Sequence, residues 1–517
     1  MDRLTPDGEG LARAARLLRA GEVVAFPTDT VYGLAALARD ARACERIFEI
    51  KGRERSRQLI AMAAEPRELE SLVEVTDRAL WFMQRWWPGP LTLVLPTRSG
   101  HLPTLGVRIP DHPVALALLR AVGEPLATTS CNRSGAPPAL TTEEASELEG
   151  PAAVIDGGRA PAGRASTVLS LVGPEAEVIR PGPVEEREIV AHEMAWRFRR
   201  LAAGARDASP LYAAIAAAVV ERPEVLALAL EARPGRRRPD LLLAAVHRLL
   251  RDEPGHPLAA YYPSLGGTRP PDAEAGRCFC EFALARAERV RELMRTRRPM
   301  AHPLAACPAL LLGLTQLEPP LALVELGAGA GLRLNLDRYA YDYGSAGRVG
   351  PDGAEPILRC RLGGERRPGP PGRPPEIGWR LGLDPEPLDP RDPETAAWLW
   401  ALTWPEQVES RRALEAALDL ARRQPPRLRA VDSLEALPTL LREVPPGATP
   451  VLVRADPSLQ PPERDRRPAG LCRELGAHEL CLEPAPGGEG VESLLRLDGE
   501  VLARADPHGA WVEWLDG

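Results

Sequence analysis

The sequence predicts an α/β protein of two domains, and three observations indicate it. The chain has 517 residues, and at roughly 100–200 residues per domain this length calls for more than one domain. Short apolar runs rich in β-branched residues alternate with segments whose apolar residues recur at helical spacing. The 56 prolines and 45 glycines indicate short elements joined by many turns.

The composition narrows the class of protein. Hydrophobic residues make up 44% and charged residues 26% of the chain, as is typical of globular proteins. No apolar run approaches the 18 residues of a membrane-spanning helix, and no basic-then-apolar leader follows Met1. We therefore expect a cytoplasmic protein without a membrane span.

The cysteine spacing and the net charge argue against a disulfide or zinc framework and against a dedicated nucleic-acid binder. The eight cysteines are scattered without a C-x-x-C pair or a matching histidine cluster, so reduced thiols are expected and no metal site is predicted. The net charge is −7, divided into −2 over residues 1–184 and −5 over the remainder. Because neither part is basic, any RNA contact would depend on a local patch.

A cluster of cations lies in the segment Lys51–Arg57, with four basic residues and one carboxylate. Lys51 is the only lysine in the chain, beside 64 arginines. Lysine is a mobile point charge, whereas arginine is a rigid fork. A single retained lysine therefore indicates a phosphate-binding site, although such a run could also be a solvated helix face.

The elements before this cluster suit a binding site. Residues 11–19 have helical spacing and are followed by a buried strand at 23–26, which ends at Pro27. Hydroxyl and carboxylate groups follow in residues 28–33, at a strand end where ligand-binding groups are common, although they could instead cap a helix. A helix at 41–50 leads to Lys51, and a strand is predicted at 59–62.

Arg108 lies inside the apolar strand 106–110, which follows aromatic residues at 81–87 and a predicted strand at 91–95. We expect the aromatic residues in the core. An unpaired buried charge is costly, so Arg108 requires an anionic partner. Either a structural carboxylate or a substrate carboxylate would serve.

The chain contains only two asparagines, and both are predicted in turns that a ligand could occupy. Asn132 lies in the polar turn 130–135, after a strand, and Asn335 lies in the second domain. Residues 165–171 and 178–182 read as paired strands with polar groups at their ends.

Residues of about 10–184 resemble the YrdC-like family of L-threonylcarbamoyladenylate synthases. The resemblance rests on seven motifs in the family's order: PTDTVYG (27–33), KGR (51–53), WPGPLTLVL (87–95), VRIPDHP (107–113), SCNRSG (130–135), STVLSL (166–171) and IRPG (179–182). It implies an α/β fold around a twisted mixed sheet with a positively lined cavity.

The resemblance also implies an activity. Family members join L-threonine, bicarbonate and ATP into threonylcarbamoyl-AMP with release of pyrophosphate, and a transferase machinery passes the product to an adenosine in tRNA. Contact with double-stranded RNA, and Mg²⁺ as a helper of ATP, are expected with it. Carried over by motif, the ATP-binding residues are Lys51, Arg53, Arg57, Thr104, Asn132 and Arg180, with Lys51 and Arg53 catalytic; the threonine-binding residues are Thr30, Arg108, Ser130 and Ser166.

Five positions depart from the family's pattern, at Glu54, Gln58, Met62, Cys131 and Ala165. Met62 replaces a strand histidine expected near the threonine, and Glu54 partly offsets the cation cluster. They leave two alternatives open: a carbamoyl-adenylate-forming relative with another acceptor, or a module that binds nucleotide or RNA without turnover.

The domains are predicted as residues 1–184, a charged and exposed connecting helix within 185–209, and a second domain at 210–517. In the second domain, two helices between 211 and 251 are separated by the basic run 233–238, which we interpret as a solvated turn.

The second domain contains a strand at 321–326, a glycine-rich turn and a predicted helix at 332–339. This order allows backbone to approach a nucleotide-like ligand closely. It is similar to the E-x-G-x-G-x-G turn of S-adenosylmethionine-dependent methyltransferases and predicts a Rossmann-like domain, with later strands near 428–433 and 451–453. The candidate site residues are Gly327, Gly329, Gly331, Asp342 and Asp432.

Residues of about 195–517 also resemble a methyltransferase-like family of unknown function. The motifs are HPLAAYYPSLG (256–266), ELGAGAGLRLNLDRYAYDYG (325–344), WPEQ (404–407) and DPHGAWVEWL (506–515). Residues 454–458 lack the D/N-P-P-Y loop of amino-group methyltransferases. A non-catalytic scaffold, ligand binding without methyl transfer and a working methyltransferase all remain open.

Overall fold

The computed structural model describes residues 1–56, 58–98, 102–300, 304–364, 372–431, 434–455, 468–485 and 492–515. The chain divides into two compact units, residues 1–197 and 198–517. Within the described residues, no helix is long and apolar enough to cross a membrane. All eight cysteines are free thiols.

The first unit is built on a ten-stranded mixed sheet. Its strands are β1 (Asp2–Leu4), β2 (Val24–Phe26), β3 (Gly33–Leu37), β4 (Ile60–Met62), β5 (Leu91–Pro96), β6 (Thr104–Arg108), β7 (Leu126–Ser130), β8 (Ala153–Ile155), β9 (Thr167–Ser170) and β10 (Glu177–Arg180). Their order across the sheet is β1-β8-β2-β3-β7-β4-β6-β5-β9-β10. The predicted pairing of the last two strands is confirmed as an antiparallel ladder, β9 with β10.

Helices cover both faces of this sheet. They are α1 (Gly8–Arg19), α2 (Ala41–Lys51), α3 (Asp77–Trp86), α4 (Pro113–Val122), α5 (Thr142–Ser146) and α6 (Glu186–Gly204). Successive residues of β2 alternate between faces: Phe26 packs in one core cluster with Leu18 of α1 and Leu118 of α4, while Ala25 packs in another with Ile47 of α2. The twisted mixed sheet expected for the first domain is therefore present.

The ends of three strands and one helix position the predicted site residues. Gly33 of β3 pairs with Ser130, the last residue of β7, so the turn after β2 lies beside the end of β7. Met62 at the end of β4 pairs with Arg108 at the end of β6. Helix α2 ends at Lys51, where Gly52 takes the left-handed conformation (φ 58°) that a Cβ disfavours.

The segment predicted as an exposed connector, within 185–209, is a helix, but it is not exposed throughout. Ile189 and Met194 of α6 are fully buried. His192 stacks on Trp81 of α3 with ring centroids 4.5 Å apart, and Glu193 is ion-paired with Arg78 at 2.8 Å. Residues up to 197 therefore belong to the first unit. The many charged residues of this helix made its buried apolar positions hard to recognise in the sequence.

The second unit starts with helices and continues as an α/β domain. Its helices are α7 (Pro210–Val220), α8 (Pro223–Ala229), α9 (Pro239–Arg251), α10 (Ala273–Ala285), α11 (Ala287–Thr296), α12 (Cys307–Leu314), α13 (Pro393–Leu402), α14 (Val408–Arg423), α15 (Leu437–Leu441) and α16 (Pro468–Glu474). Its strands are β11 (Leu321–Leu326), β12 (Ala340–Asp342), β13 (Arg348–Val349), β14 (Ile357–Arg359), β15 (Arg361–Gly363), β16 (Ile377–Asp384), β17 (Leu428–Ala430), β18 (Thr449–Arg454), β19 (His478–Pro484), β20 (Ser493–Leu497), β21 (Glu500–Ala505) and β22 (Trp511–Trp514).

Nine strands of this unit form one sheet in the order β15-β22-β21-β20-β19-β18-β11-β16-β17. Strands β17, β16, β11, β18 and β19 are parallel, and an antiparallel meander continues from β19. The strand order reverses between β11 and β18, and such a switch point creates a crevice at the carboxyl ends of the strands. The glycine-rich turn follows β11 and lies there.

Two predicted features of the second unit are visible in the structure. The glycine-rich turn leads into the helix predicted at 332–339, which is a 3₁₀ helix at Leu332–Arg338 with a kink at Asn335. The basic run 233–238 is a turn between α8 and α9, as interpreted from the sequence, and Arg236 is ion-paired with Glu386 at 2.7 Å.

Candidate active site

Arg108, at the end of β6, organises the turn after β2. Its side chain is 2% exposed. Nη2 donates to Oδ1 of Asp29 at 2.5 Å, Nη1 donates to the Thr30 hydroxyl at 2.9 Å, and Nε donates to the carbonyl of Gly89 at 2.9 Å. Burial lowers the pKa of Arg108, and the Asp29 carboxylate opposes that shift. Of the two partners left open by the sequence, the structure supplies the structural carboxylate.

The same turn fixes the Thr30 hydroxyl. Thr28 Oγ1 donates to the carbonyl of Val31 at 2.6 Å and lies 3.0 Å from Thr30 Oγ1. Because the single hydroxyl hydrogen of Thr28 is used on that carbonyl, Thr30 donates to Thr28 and accepts from Arg108. The position of Thr30, predicted to bind threonine, is thus set by the arginine beneath it.

Lys51 binds the turn that follows β7. Its residue exposure is 2%, and Nζ donates to the carbonyls of Ser130 (2.5 Å) and Asn132 (2.7 Å) and to Oδ1 of Asn132 (2.9 Å). An ammonium has three hydrogens, and these three acceptors use them all. Burial, aided by the positive charge of Arg53, lowers the pKa of Lys51 to about 8.

Asn132 is oriented by its neighbours. Its Oδ1 accepts from the Ser130 hydroxyl at 2.6 Å as well as from Lys51, while Nδ2 donates to the carbonyls of Arg133 (2.9 Å) and Ala136 (2.7 Å). These donors and acceptors fix which way the amide points. The predicted residues Lys51, Ser130 and Asn132 therefore form one hydrogen-bonded cluster.

Arg180 and Ser166 form a second cluster, between β9 and β10. Arg180 donates through Nη2 to the carbonyl (2.8 Å) and hydroxyl (3.1 Å) of Ser166, and that hydroxyl lies 2.8 Å from Oγ1 of Thr92. Burial is the main cause that lowers the pKa of Arg180, and the positive charges of Arg108 and Arg53 lower it further. Arg180 is therefore close enough to Arg108 and to Arg53 to be repelled by both.

The remaining predicted residues of this site lie around these clusters. Arg53 donates to the carbonyl of Gln58 at 3.2 Å. Thr104 opens β6 and pairs with Pro96, so it lies at the opposite end of that strand from Arg108, about 13 Å away at 3.3 Å per residue. Arg57 lies outside the described residues.

His112 is a residue of this site that sequence reasoning missed. It precedes α4, is 8% exposed, and a Cβ built on Gly157 would lie 3.5 Å from its Cε1. Among the described residues, no group hydrogen-bonds its buried Nδ1. Burial lowers its pKa, although the carboxylates of Asp29 and Asp111 oppose the shift. The VRIPDHP motif contained it, but a lone histidine has no diagnostic spacing.

The departures from the family's pattern have different surroundings. Met62 is 5% exposed, packs in the core cluster with Phe26 and Leu126, and lies beside Arg108 in the ladder. Burial raises the pKa of Cys131 to about 12, so it is an inert thiol. Glu54 is exposed and accepts from the hydroxyl of Ser56 at 3.4 Å.

In the second unit, the glycine-rich turn is filled by the chain itself. Gly327, Gly329 and Gly331 all have positive φ. A Cβ on Gly329 would lie 2.5 Å from Cε of Met300, and one on Gly331 would lie 2.7 Å from Cγ of Pro426. The close approach that requires glycine is therefore made by side chains of the same domain.

The carboxylate at this turn is Asp384, which the sequence analysis did not select. It ends β16 and is 1% exposed; Oδ2 accepts from the Gly329 amide (2.8 Å) and from Arg298 (2.8 Å), and Oδ1 accepts from the Glu386 amide (2.8 Å). A nucleoside needs such a carboxylate for its ribose hydroxyls. In this structure the carboxylate of Asp384 is already bonded to Arg298 and to two backbone amides.

The predicted Asp342 is not at the turn. It lies on β12 of a separate three-stranded sheet, accepts from the Gly344 amide (3.1 Å) and is ion-paired with Arg348 (3.2 Å). The alternative, Asp432, lies outside the described residues. With the turn filled and Asp384 paired, the residues present do not fit S-adenosylmethionine.

Across the described ranges, no group of three or more His, Cys, Asp or Glu residues could hold a metal ion. Asp29, the carboxylate at the cation clusters, is ion-paired with Arg108.

Two family models match the chain in adjoining regions. Residues 16–182 match Sua5_yciO_yrdC, described as "Telomere recombination". Residues 195–514 match DUF2332, described as "Uncharacterized protein conserved in bacteria".

Curated relatives match the first region. Threonylcarbamoyl-AMP synthase of Bacillus subtilis is 42% identical over 201 residues, covering 37% of this chain and 58% of that protein. The Pyrococcus abyssi enzyme of the same name is 42% identical over 193 residues, covering 35% and 57%. A putative threonylcarbamoyl-AMP synthase of Mycobacterium tuberculosis is 38% identical over 190 residues, covering 35% and 87%. The chain thus spans less than three fifths of the length of the first two relatives.

Solved structures are similar over the same region. Sua5 of Pyrococcus abyssi, complexed with L-threonine, is 38% identical, with a TM-score of 0.35 over 36% of this chain and 59% of that one. YciO of Escherichia coli is 26% identical, with a TM-score of 0.34 over 36% and 98%.

Proposed function

The chain belongs to the Sua5/YciO/YrdC family through its first domain and to the DUF2332 family through its second, and from this premise we propose that the first domain synthesises L-threonylcarbamoyladenylate. The substrates would be L-threonine, bicarbonate and ATP, with pyrophosphate released. The product would serve tRNA threonylcarbamoyladenosine modification, passing to a threonylcarbamoyl transferase, with tRNA as a further partner.

The observation that carries this proposal is the excess of positive charge at the site. Arg108 and Arg53 lie close enough to Arg180 to lower its pKa, and Arg53 also lowers that of Lys51. Asp29 is ion-paired with Arg108. Cations held this close together repel one another, which costs free energy, and a polyanionic ligand recovers it. A nucleoside triphosphate, together with a substrate carboxylate, is such a ligand.

The reaction requires that the two substrates be positioned and that the charge on the leaving pyrophosphate be stabilised. An oxygen of the N-carboxylated threonine attacks the α-phosphorus of ATP, a new P–O bond forms, and the bond to pyrophosphate breaks. Negative charge accumulates on the leaving pyrophosphate. We assign its stabilisation to Arg53 and Arg180, and assign Lys51 to holding the turn of Asn132 while adding its charge. Arg57 and Thr104 remain assigned to the nucleotide by motif alone.

For the amino acid, we assign hydroxyl groups whose positions are fixed by the fold. Thr30, Ser130 and Ser166 each take part in a defined hydrogen-bond network. Arg108 contributes by holding Thr30, since its charge is already paired with Asp29. Mg²⁺ would enter with the phosphates of ATP, because magnesium commonly keeps its waters and uses substrate phosphates as ligands.

The decisive experiment measures pyrophosphate released from ATP by the full chain. We expect release only when both threonine and bicarbonate are present. Met62 beside Arg108 favours the alternative of another acceptor, which would give release with a different amino acid or with carbamoyl phosphate. A non-catalytic nucleotide- or RNA-binding module would bind ATP and release nothing under any condition.

For the second domain, we propose a Rossmann-like scaffold without cofactor. The pairing of Asp384 with Arg298 and the contact of Met300 with Gly329 carry this proposal. Titration calorimetry of the full chain with S-adenosylmethionine should give no saturable heat of binding. Saturable heat that disappears in Asp384→Asn would instead favour a methyltransferase-type or ligand-binding domain.

A further inference from the structure

His112 lies beside the turn that shapes the amino-acid end of the site. Its ring packs near Pro27 and Gly157 and feels the carboxylate of Asp29, which in turn holds Arg108. The residue is 92% buried, yet no described group hydrogen-bonds Nδ1. A buried polar atom without a hydrogen-bond partner is costly, so it calls for a functional explanation.

The proposed reaction needs a proton acceptor at this place. An amino acid arrives as an ammonium, and nitrogen must lose a proton before its lone pair can attack a carbonyl carbon. Lys51 cannot take that proton while its three hydrogens are bound to Ser130 and Asn132. Arg53 and Arg180 are permanently charged. Among the described residues of the site, the histidine is the group suited to the task.

We propose that His112, supported by Asp29, is the general base that removes a proton from the amino group of the amino-acid substrate. The inference rests on the proposed function and extends it to the step that precedes adenylation. His112 accepts one proton from the ammonium and becomes an imidazolium. The neutral amine attacks bicarbonate, a C–N bond forms, and water leaves to give the carbamate. The imidazolium then returns its proton to solvent.

The surrounding charges suit this cycle. Burial keeps the free imidazole neutral, so that it can accept a proton, and Asp29 and Asp111 stabilise the imidazolium once it forms. On β6, Arg108 is ion-paired with Asp29. From the loop that contains Gly157, the nearby Asp156 is paired with Arg3. Asp29 thus links the residue that shapes the site to the residue that takes the proton.

The test compares His112→Gln with wild type in threonine- and bicarbonate-dependent pyrophosphate release. We expect turnover at pH 7 to fall on the order of 10²-fold or more, the usual contribution of a general base. The KM for ATP should stay within about twofold. The ratio of variant to wild-type turnover should rise with pH to beyond about 8, where an α-amino group deprotonates in solution, because the ratio cancels the titration of Lys51 in both proteins. Imidazole should restore part of the activity of His112→Gly.

His192→Gln is the matched control, since it changes a histidine of the same unit that packs against α3; its turnover should equal that of wild type. The inference is overturned if His112→Gln keeps wild-type turnover and pH profile. It is equally overturned if the loss follows only a lower melting temperature, or if the loss in His112→Gln relative to wild type is the same at every pH. Absence of threonine-dependent release in wild type would instead contradict the proposed function itself.

Discussion

Arg108 and Asp29 form a buried ion pair, with 2.5 Å between Nη2 and Oδ1. The pair joins the end of β6 to the turn after β2, and the same guanidinium holds the hydroxyl of Thr30. A charge placed inside an apolar strand therefore fixes a loop, and the loop presents the groups that we assign to the substrate.

The first prediction concerns this pair. Arg108→Leu leaves Asp29 buried without its cation, and removing one partner of a buried pair costs about 3–5 kcal/mol. Urea unfolding should show that loss, and Arg108→Leu combined with Asp29→Leu should recover part of it. If Arg108→Leu kept its stability and raised only the threonine requirement, the guanidinium would instead bind the substrate carboxylate.

The second prediction concerns Lys51. Lys51→Ala should lower pyrophosphate release on the order of 10²-fold, because the turn of Asn132 loses its three hydrogen bonds and the phosphates lose a cation. Lys51→Arg should recover only part of the rate, since a planar fork cannot reach three acceptors arranged around one nitrogen. The control is Arg55→Ala, which removes an exposed cation paired with Glu45. Wild-type turnover in Lys51→Ala would contradict this role.

The lowered pKa of Lys51 gives a third prediction. The ammonium loses its proton as pH rises through about 8, so the affinity for ATP in the wild type should fall through that pH. In Lys51→Arg the cation persists, and the affinity should show no step there. Calorimetric titration with ATP between pH 7 and about pH 9 measures both. A wild-type affinity that is flat over this range would mean that Lys51 stays charged.

The fourth prediction concerns the packing of α6 against α3. His192 Nε2 lies 3.0 Å from the carbonyl of Trp81, whose indole donates to the carbonyl of His192 at 3.0 Å. Burial lowers the pKa of His192, so the folded chain binds fewer protons than the unfolded chain just below the ordinary value of about 6.5. The free energy of unfolding should therefore decrease as pH falls through that window. His192→Gln should remove part of this slope; an unchanged slope would assign it to other histidines.

The sequence predicted secondary-structure elements better than it predicted which side chains contact one another. Periodicity located helices and strands of the first domain within a few residues, because each buries a regular apolar face. It could not choose between the two possible partners of Arg108, since Asp29 is 79 residues away in the chain. Asp384 was missed for the same reason, because it meets Gly329 only through the pairing of β16 with β11. The helix expected after the glycines is a 3₁₀ helix, a difference that helical spacing alone does not reveal.

The last prediction separates the two accounts of the glycine-rich turn. In Gly329→Val, the left-handed backbone (φ 57°) disfavours the new side chain, and its Cβ would meet Cε of Met300 at 2.5 Å. Gly353→Val is the matched control, because Gly353 has a similar φ of 71° with nothing within 4 Å of its Cβ. Strain alone costs about 1–3 kcal/mol at either position.

We therefore expect Gly329→Val to lower the melting temperature of the full chain more than Gly353→Val does. Adding Met300→Ala should remove the excess loss, because it deletes the atom that the new Cβ meets. The melting temperature of the wild type should be unchanged by S-adenosylmethionine, since a ligand that does not bind the folded state cannot stabilise it. A ligand-dependent rise in wild type that is absent from Gly329→Val would show that Met300 and Arg298 can move aside, and the turn would then be a binding site.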